Sequence, residues 1–162
     1  MNFNNIIIDY INVLNSEQIK MLERSDVSEN FVDSLDSIKE FTDYSLENNL
    51  KGHTFIIKYK SDLVGVLLIV EGIHWETDPK QLYNIPFYRI MDFIINKNYR
   101  GYGIGSYVLE EVISRVYNEF GERPVVLGVH KDNIEAEKFY LKHKFIKTEY
   151  MDGDDYYFIR SI

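Results

Sequence analysis

At 162 residues the chain is sized for one domain with a single sizeable core, and its 45% hydrophobic and 15% aromatic content excludes a disordered protein. Eighteen basic against 26 acidic side chains leave a formal charge of −8, which argues against general affinity for nucleic acid or an anionic membrane and suits a cationic substrate. Cysteine is absent, so disulfides, thiolate metal sites and a cysteine nucleophile are excluded, in keeping with a reducing, cytoplasmic setting.

Met1 to Ile8 has no basic n-region, and the longest apolar stretch, Leu63 to Val70, has eight residues against the roughly 18 that span a bilayer. The sequence therefore reads as soluble and untargeted. No repeat or Pro-rich linker interrupts it, so residues 1–162 are expected to form a single domain. A strand is predicted near Ile6 to Ile11. Asn15 with Gln18 three residues on is a capping-box signal for a helix carrying Ile19 and Leu22. A second helix follows Ser34, with Leu35, Ile38 and Phe41 spaced by three. From Ser16 to Leu50 nine acidic residues face three basic ones, a net of −6, so much of the acidity falls in this helical region.

Thr54 to Tyr59 and Leu63 to Val70 read as a strand pair joined tightly through Lys60-Ser61-Asp62, and Pro86 to Ile95 as another strand. From Ile104 the period changes: Leu109, Ile113, Val116 and Phe120 recur at spacings of four, three and four, one face of a helix ending near Gly121. Val125 to Val129 is a short buried strand, and a helix runs from about Ile134 to His143. Two last strands, Phe145 to Tyr150 and Tyr156 to Ile159, flank an Asp152-Gly153 turn. This order predicts an α/β (α+β) fold, a mixed sheet covered by helices rather than a bundle or a sandwich.

Three of the nine glycines fall within five residues, in Arg100-Gly101-Tyr102-Gly103-Ile104-Gly105-Ser106, between a predicted strand and a predicted helix. Glycines there permit positive φ and expose successive N–H groups, and the helix start carries partial positive charge, which together suit a pyrophosphate. A P-loop would need Lys-Ser/Thr after the last glycine, where Ser106-Tyr107 stands. A dinucleotide fingerprint needs a third Gly where Ser106 stands, and an acidic residue closing the next strand, whereas Glu122 precedes that strand. A ligand-free strand-to-helix turn is the remaining alternative.

The pattern Arg-x-x-Gly-x-Gly, held by Arg100, Gly103 and Gly105, resembles the acyl-CoA pyrophosphate loop of the GNAT N-acetyltransferase superfamily. There the loop follows the fourth strand and opens the third helix, the slot it occupies in the predicted order. A second segment, Asn133-Ile134-Glu135-Ala136-Glu137-Lys138-Phe139-Tyr140, is similar to the superfamily's Asn-x-x-Ala-x-x-x-Tyr stretch, and Ala136, the only alanine in the chain, fills its small-residue position. Asn133 and Tyr140 are seven apart and share a helix face. The family continues with Gly-Phe where this chain has Lys144-Phe145.

The resemblance implies a mostly antiparallel sheet with splayed central strands and acetyl-CoA as cosubstrate, without a metal. It implies that Arg100, Gly101, Tyr102, Gly103, Ile104, Gly105 and Ser106 hold the pyrophosphate, that Ile94 and Ile95 bond the pantetheine through their main chain, and that Asn133 also holds it. Tyr140 is then the general acid, against a bland alternative in which one of 13 tyrosines simply packs. For the base, Asp92 interrupts the apolar run Phe87 to Ile95 and must be paired or shifted in pKa. An ion pair with Arg89 or Lys58 is an equal reading, Glu71 and His130 are rivals, and a water chain would need no dedicated base. The four histidines show no ligand spacing.

These readings lead to transfer of an acetyl group to the primary amine of a small cationic acceptor. Asn30-Phe31-Val32 with Ser34-Leu35, Asp78-Pro79 and the Asp152-Gly153 turn look like bacterial diamine and spermidine N-acetyltransferases, which implies a polyamine. The alternatives are an aminoglycoside-type or streptothricin-type antibiotic, a protein or peptide amine, or a non-catalytic acyl-CoA-binding domain. A homodimer is compatible with the sequence.

Overall fold

The computed structural model describes residues 2–11, 16–22, 31 and 35–162. In chain order the elements are β1 (Ile6–Ile11), α1 (Ser16–Lys20), α2 (Leu35–Glu47), β2 (Gly52–Tyr59), β3 (Asp62–Glu71), β4 (Tyr88–Ile95), α3 (Ile104–Phe120), β5 (Val125–His130), α4 (Ile134–Lys142), β6 (Ile146–Asp152) and β7 (Asp155–Arg160). The capping box of Asn15 and Gln18 and the Ser34 helix start lie outside the described residues. The strands form one seven-stranded sheet in the order β1-β2-β3-β4-β5-β7-β6. Every neighbouring pair is antiparallel except β4 with β5, so the sheet is mixed and mostly antiparallel, as expected.

Local chemistry explains the elements. Lys60 adopts φ 57 in the two-residue connection that pairs Tyr59 with Asp62. Helix α3 buries Ile104, Val108, Leu109, Val112, Ile113 and Val116, one apolar stripe at helical period, and Gly121 ends it at φ 97. Helix α4 starts where the Asn133 side-chain oxygen accepts the Ala136 N–H at 3.1 Å. Asn133 is therefore the cap that precedes the helix, not a member of its face. At the other end Lys144 takes φ 66, the left-handed conformation that glycine adopts most cheaply.

The two sheet faces have separate cores. Helices α3 and α4 cover the face carrying Phe55, Ile57, Leu67, Ile69, Tyr88 and Ile90. On the other face Ile19 and Leu22, from α1 and just beyond it, and Ile38 of α2 pack on Val66 and Ile94.

Two irregularities in β4 shape the functional end of the sheet. Leu68 pairs with Asp92 and Ile69 with Ile90, so Met91 is an extra residue, a β-bulge. The bulge inverts the alternation: Ile90 and Phe93 share the α3 face, while Arg89, Asp92 and Ile94 share the α2 face. Unbroken alternation would have put Asp92 with Ile90 and Tyr88. Second, β4 and β5 pair only through Tyr88 with Val125 and Arg89 with Val126, and then diverge. The remaining length of β4 borders a gap rather than a strand.

Candidate active site

A cavity of about 930 Å³ runs through this gap. At one end it is walled by Arg100, Gly101, Gly103, Gly105 and Ser106, in the middle by Phe93, Ile94, Ile95, Asn133 and Tyr140, and at the other end by Trp75, Asp152, Asp155 and Tyr157. A 3-10 turn at Lys97–Tyr99 leads out of β4 into the glycines.

The glycine end is built on main chain. Gly101 and Gly103 hold φ 80 and 82, and a Cβ on Gly101 would meet nothing within 4 Å while one on Gly103 would stand 3.3 Å from the Phe3 ring. Gly103 caps α3 in the left-handed conformation, and the first intrahelical bond runs from Tyr107 N–H to Gly103 O at 3.1 Å. The N–H groups before Tyr107 therefore point out of the helix start. No acidic residue occupies the first turn of α3, whereas Glu135 and Glu137 occupy that of α4, so the α3 end is the one of the two suited to an anion. The donor set fits a diphosphate. Arg100 is anchored there by its Nε, which donates to Ile95 O at 2.7 Å. Tyr102 and Ile104 offer this end only their main chain: Tyr102 is 57% exposed and its side chain is outside the cavity wall, and the Ile104 side chain is buried in the core.

The strand side corrects one expectation. Asn96 N–H donates to Val64 O at 2.8 Å, and a Cβ on Gly65 would come within 2.6 Å of Ile94 O. Main-chain direction alternates along a strand, so Ile94 and Asn96 turn their groups toward β3. Phe93 and Ile95 turn theirs toward the gap. Ile94 is committed to the ladder, which corrects the expectation that its main chain is open to a pantetheine, and on this stretch of β4 the main-chain groups directed at the gap are those of Phe93 and Ile95. The bulge register that decides this is not written in the residue pattern.

Tyr140 lies between the rings of Phe139 and Phe145, at 5.1 and 5.4 Å between centroids. Burial pushes its phenol well above the ordinary tyrosine range, and the charge of Asp92 adds to the shift. Asp92, 3% exposed, reaches the same cavity from the α2 face of β4. Its suggested partner Arg89 is instead bound to Asp78 and to Ile73 O at 3.1 Å, under the rings of Trp75, Phe87 and Tyr157. Lys58, the other suggested partner, is on β2, two strands away. The rival base Glu71 pairs with Arg123 at the opposite end of β4, and the His130 ring accepts the Asp132 N–H at 3.2 Å. Neither lines the cavity, and Asp92 does.

At the far end the wall is aromatic and acidic: Phe31, Phe41, Trp75 and Tyr157 with Asp152 and Asp155. Helix α2 presents Ser37 and Phe41 there, while Asp36 and Glu40 are exposed on its outer side and Asp33 lies outside the described residues. Among the described residues, the carboxylates that line the cavity, Asp92, Glu135, Asp152 and Asp155, come from β4, the start of α4 and the β6–β7 hairpin rather than from α2. Of the segment Asn30 to Leu35, Phe31 reaches the cavity. Among the described residues no group of three or more ligating side chains suits a metal ion, and no helix is long and apolar enough to cross a membrane.

Solved structures share this architecture. A Thermoplasma acidophilum PaiA N-acetyltransferase in complex with coenzyme A is 17% identical with a TM-score of 0.68, over 97% of this chain and 99% of that one. A Streptococcus pneumoniae acetyltransferase of the GNAT family is 18% identical (TM-score 0.67, 97% and 99% covered), and Arabidopsis thaliana Naa50 with the bisubstrate analogue CoA-Ac-MVNAL is 18% identical (TM-score 0.60, 98% and 99%). At these identities the likeness is one of fold. No curated protein matches the sequence. The model of the acetyltransferase (GNAT) family matches residues 17–145, and the chain is accordingly an acetyltransferase belonging to that family.

Proposed function

We propose that residues 1–162 form one N-acetyltransferase domain that moves an acetyl group from acetyl-CoA directly to a primary amine of a small, multiply charged acceptor such as a polyamine. The observation that carries the reading is the single cavity joining a glycine-built helix start to Tyr140 and on to an acidic, aromatic end. Acetyl-CoA supplies the activated thioester. The N–H groups at the start of α3, with Arg100 and Ser106 beside them, hold the diphosphate, and the main chain of Phe93 with the N–H of Ile95, whose carbonyl holds Arg100, guides the pantetheine arm toward Tyr140.

At that point the residues divide the proton work. The acceptor amine must be neutral to attack, and Asp92 takes its proton, directly or through water. A C–N bond forms as the C–S bond breaks, and Tyr140, kept protonated by burial, gives its phenolic proton to the departing sulfur. No cysteine or covalent enzyme intermediate is required. Asp152 and Asp155 attract the remaining ammonium groups of the acceptor, and Trp75, Phe41 and Tyr157 contact its methylenes.

The test is thiol release from acetyl-CoA with a panel of putrescine, spermidine, a monoamine of similar pKa, an aminoglycoside and a short peptide with a free N-terminus. Preference for spermidine supports the reading. Faster turnover of the peptide or the aminoglycoside would replace the acceptor while retaining the donor, and the absence of thiol release with every amine would overturn the reaction.

A further inference from the structure

Beneath the glycine loop runs a chain of hydrogen bonds of which the acetyl-transfer reading uses only Ser106. Ser106, in the first turn of α3 and on the cavity wall, meets His143 Nε2 through its Oγ at 2.9 Å. His143 Nδ1 meets Glu110 Oε1 at 2.8 Å, and Arg160 grips the same carboxylate with NH1 and NH2 at 3.0 Å each. His143 is 8% exposed and lies tilted against the Phe139 ring, 4.7 Å between centroids. Burial opposes ionisation of Glu110, but the hydrogen bonds from Arg160 and His143 outweigh it and hold the carboxyl below its usual range.

An ionised Glu110 can only accept, so the Nδ1 of His143 carries a proton and donates it. The other nitrogen then has two states. A neutral imidazole accepts at Nε2, which draws the Ser106 O–H away from the cavity and turns oxygen lone pairs toward any anion in it. An imidazolium donates at Nε2, which leaves the Ser106 hydroxyl to donate into the cavity. A diphosphate at the start of α3 repels the first arrangement and bonds the second.

We propose that His143 is the positioning residue for Ser106, and that seating the diphosphate of the acetyl donor draws a proton onto His143. The inference rests on the acetyl-CoA reading above. The charged groups around the imidazole are Glu110 from α3, which favours the cation, and Arg160 from β7 with the flanking Lys142 and Lys144, which oppose it. Ligand binding and protonation are reciprocal, so affinity for the donor falls as pH rises, by at most tenfold per pH unit for one proton.

Isothermal titration with dephospho-CoA, which lacks the titrating 3′-phosphate, in buffers of different ionisation enthalpy between pH 7 and 8.5 tests this. The wild-type protein should take up a substantial fraction of a proton per ligand bound. Ser106→Ala, which loses one donor to the diphosphate, and His143→Gln should bind more weakly and show no such uptake, with Kd independent of pH over the same range. Binding by the wild type without uptake, or equal uptake by Ser106→Ala, would overturn the inference and leave the cofactor reading intact. Failure of the wild type to bind either CoA or dephospho-CoA would overturn both. If His143→Gln does not fold, Ser106→Ala, which removes one oxygen, decides alone.

Discussion

Asp92 on β4 and Tyr140 on α4 border one cavity from opposite sides of the gap in the sheet, and the negative charge of Asp92 reinforces burial in keeping the Tyr140 phenol protonated. A phenol that stays neutral is a proton donor at every physiological pH. Ionisation of Tyr140 therefore cannot cause an alkaline loss of activity below about pH 10, the ordinary tyrosine value. Replacing Tyr140 by Phe should lower kcat by about 10²-fold or more and leave the Kd for acetyl-CoA nearly unchanged, because only a transition-state proton is removed. Steady-state kinetics beside calorimetry measures both; retention of most of the turnover would reduce Tyr140 to a packing residue.

The glycine cradle makes a different demand, on shape rather than charge. Gly103→Val should abolish or strongly weaken CoA binding, since the added carbons occupy the approach to the helix start, and it should also lower stability by roughly 1–3 kcal/mol for a β-branched residue at φ 82. Gly121→Ala, at φ 97 on the far end of the same helix with nothing within 4 Å of the new Cβ, supplies the matched control. It should lose stability and keep its CoA affinity. Equal binding by both variants would remove the loop from the site.

Much of this arrangement was legible in the residue pattern, and the exceptions share a cause. Strand and helix bounds follow from period-2 and period-3.6 patterning, and the loop announces itself through Gly101, Gly103 and Gly105. What the pattern cannot carry is register. One extra residue, Met91, moves Asp92 to the α2 face and exchanges Phe93 for Ile94 at the gap. Long-range pairing is equally silent: Arg89 finds Asp78 across a connection whose residues show no periodicity. Net charge is silent too, because it places acidic residues on α2 without saying which face of the helix bears them.

Lys144 illustrates a departure from family pattern that geometry explains. It stands where Gly is usual and adopts φ 66, so the turn is made at a steric cost rather than abandoned. Lys144→Gly should therefore stabilise the protein by about 0.5–1 kcal/mol, the strain relieved less the entropy that Gly adds to the unfolded chain. Urea unfolding measures it. A loss of stability would show that the lysine side chain contributes more than its backbone costs.

The pair Arg89–Asp78 is nearly inaccessible to solvent, at 3% and 4% exposure, and it ties the connection after β3 to the strand that lines the cavity. Removing one partner leaves the other charge buried. Asp78→Ala should cost about 3–5 kcal/mol and lower Tm by more than any single exposed ion-pair deletion, such as Glu135→Ala beside Lys138. Differential scanning calorimetry of the two variants gives the comparison, and equal Tm values would mean that Arg89 relaxes to water when Asp78 is lost.

The acceptor end permits the most discriminating experiment, because the acids that line it are not the acids that dominate the composition. Asp152, itself exposed, and half-buried Asp155 line the cavity, whereas Asp36 and Glu40 are exposed on α2 outside it. If long-range attraction by the whole acidic surface recruits a polycation, all four should matter alike. If local contact matters, the first two should dominate. Exposed charges contribute about 0–1 kcal/mol each and are screened over roughly 8 Å at physiological salt, so a contact effect survives salt better than a diffuse one. Asp152→Asn and Asp155→Asn should each raise the KM for spermidine several-fold with little change in kcat, and the Asp36→Asn and Glu40→Gln variants should leave KM within about twofold. For the wild type, kcat/KM should fall with ionic strength more for spermidine than for a monoamine. Equal KM effects at the inner and outer positions would assign recruitment to the surface field, and no effect at any of them, with no salt dependence, would remove the polycationic acceptor.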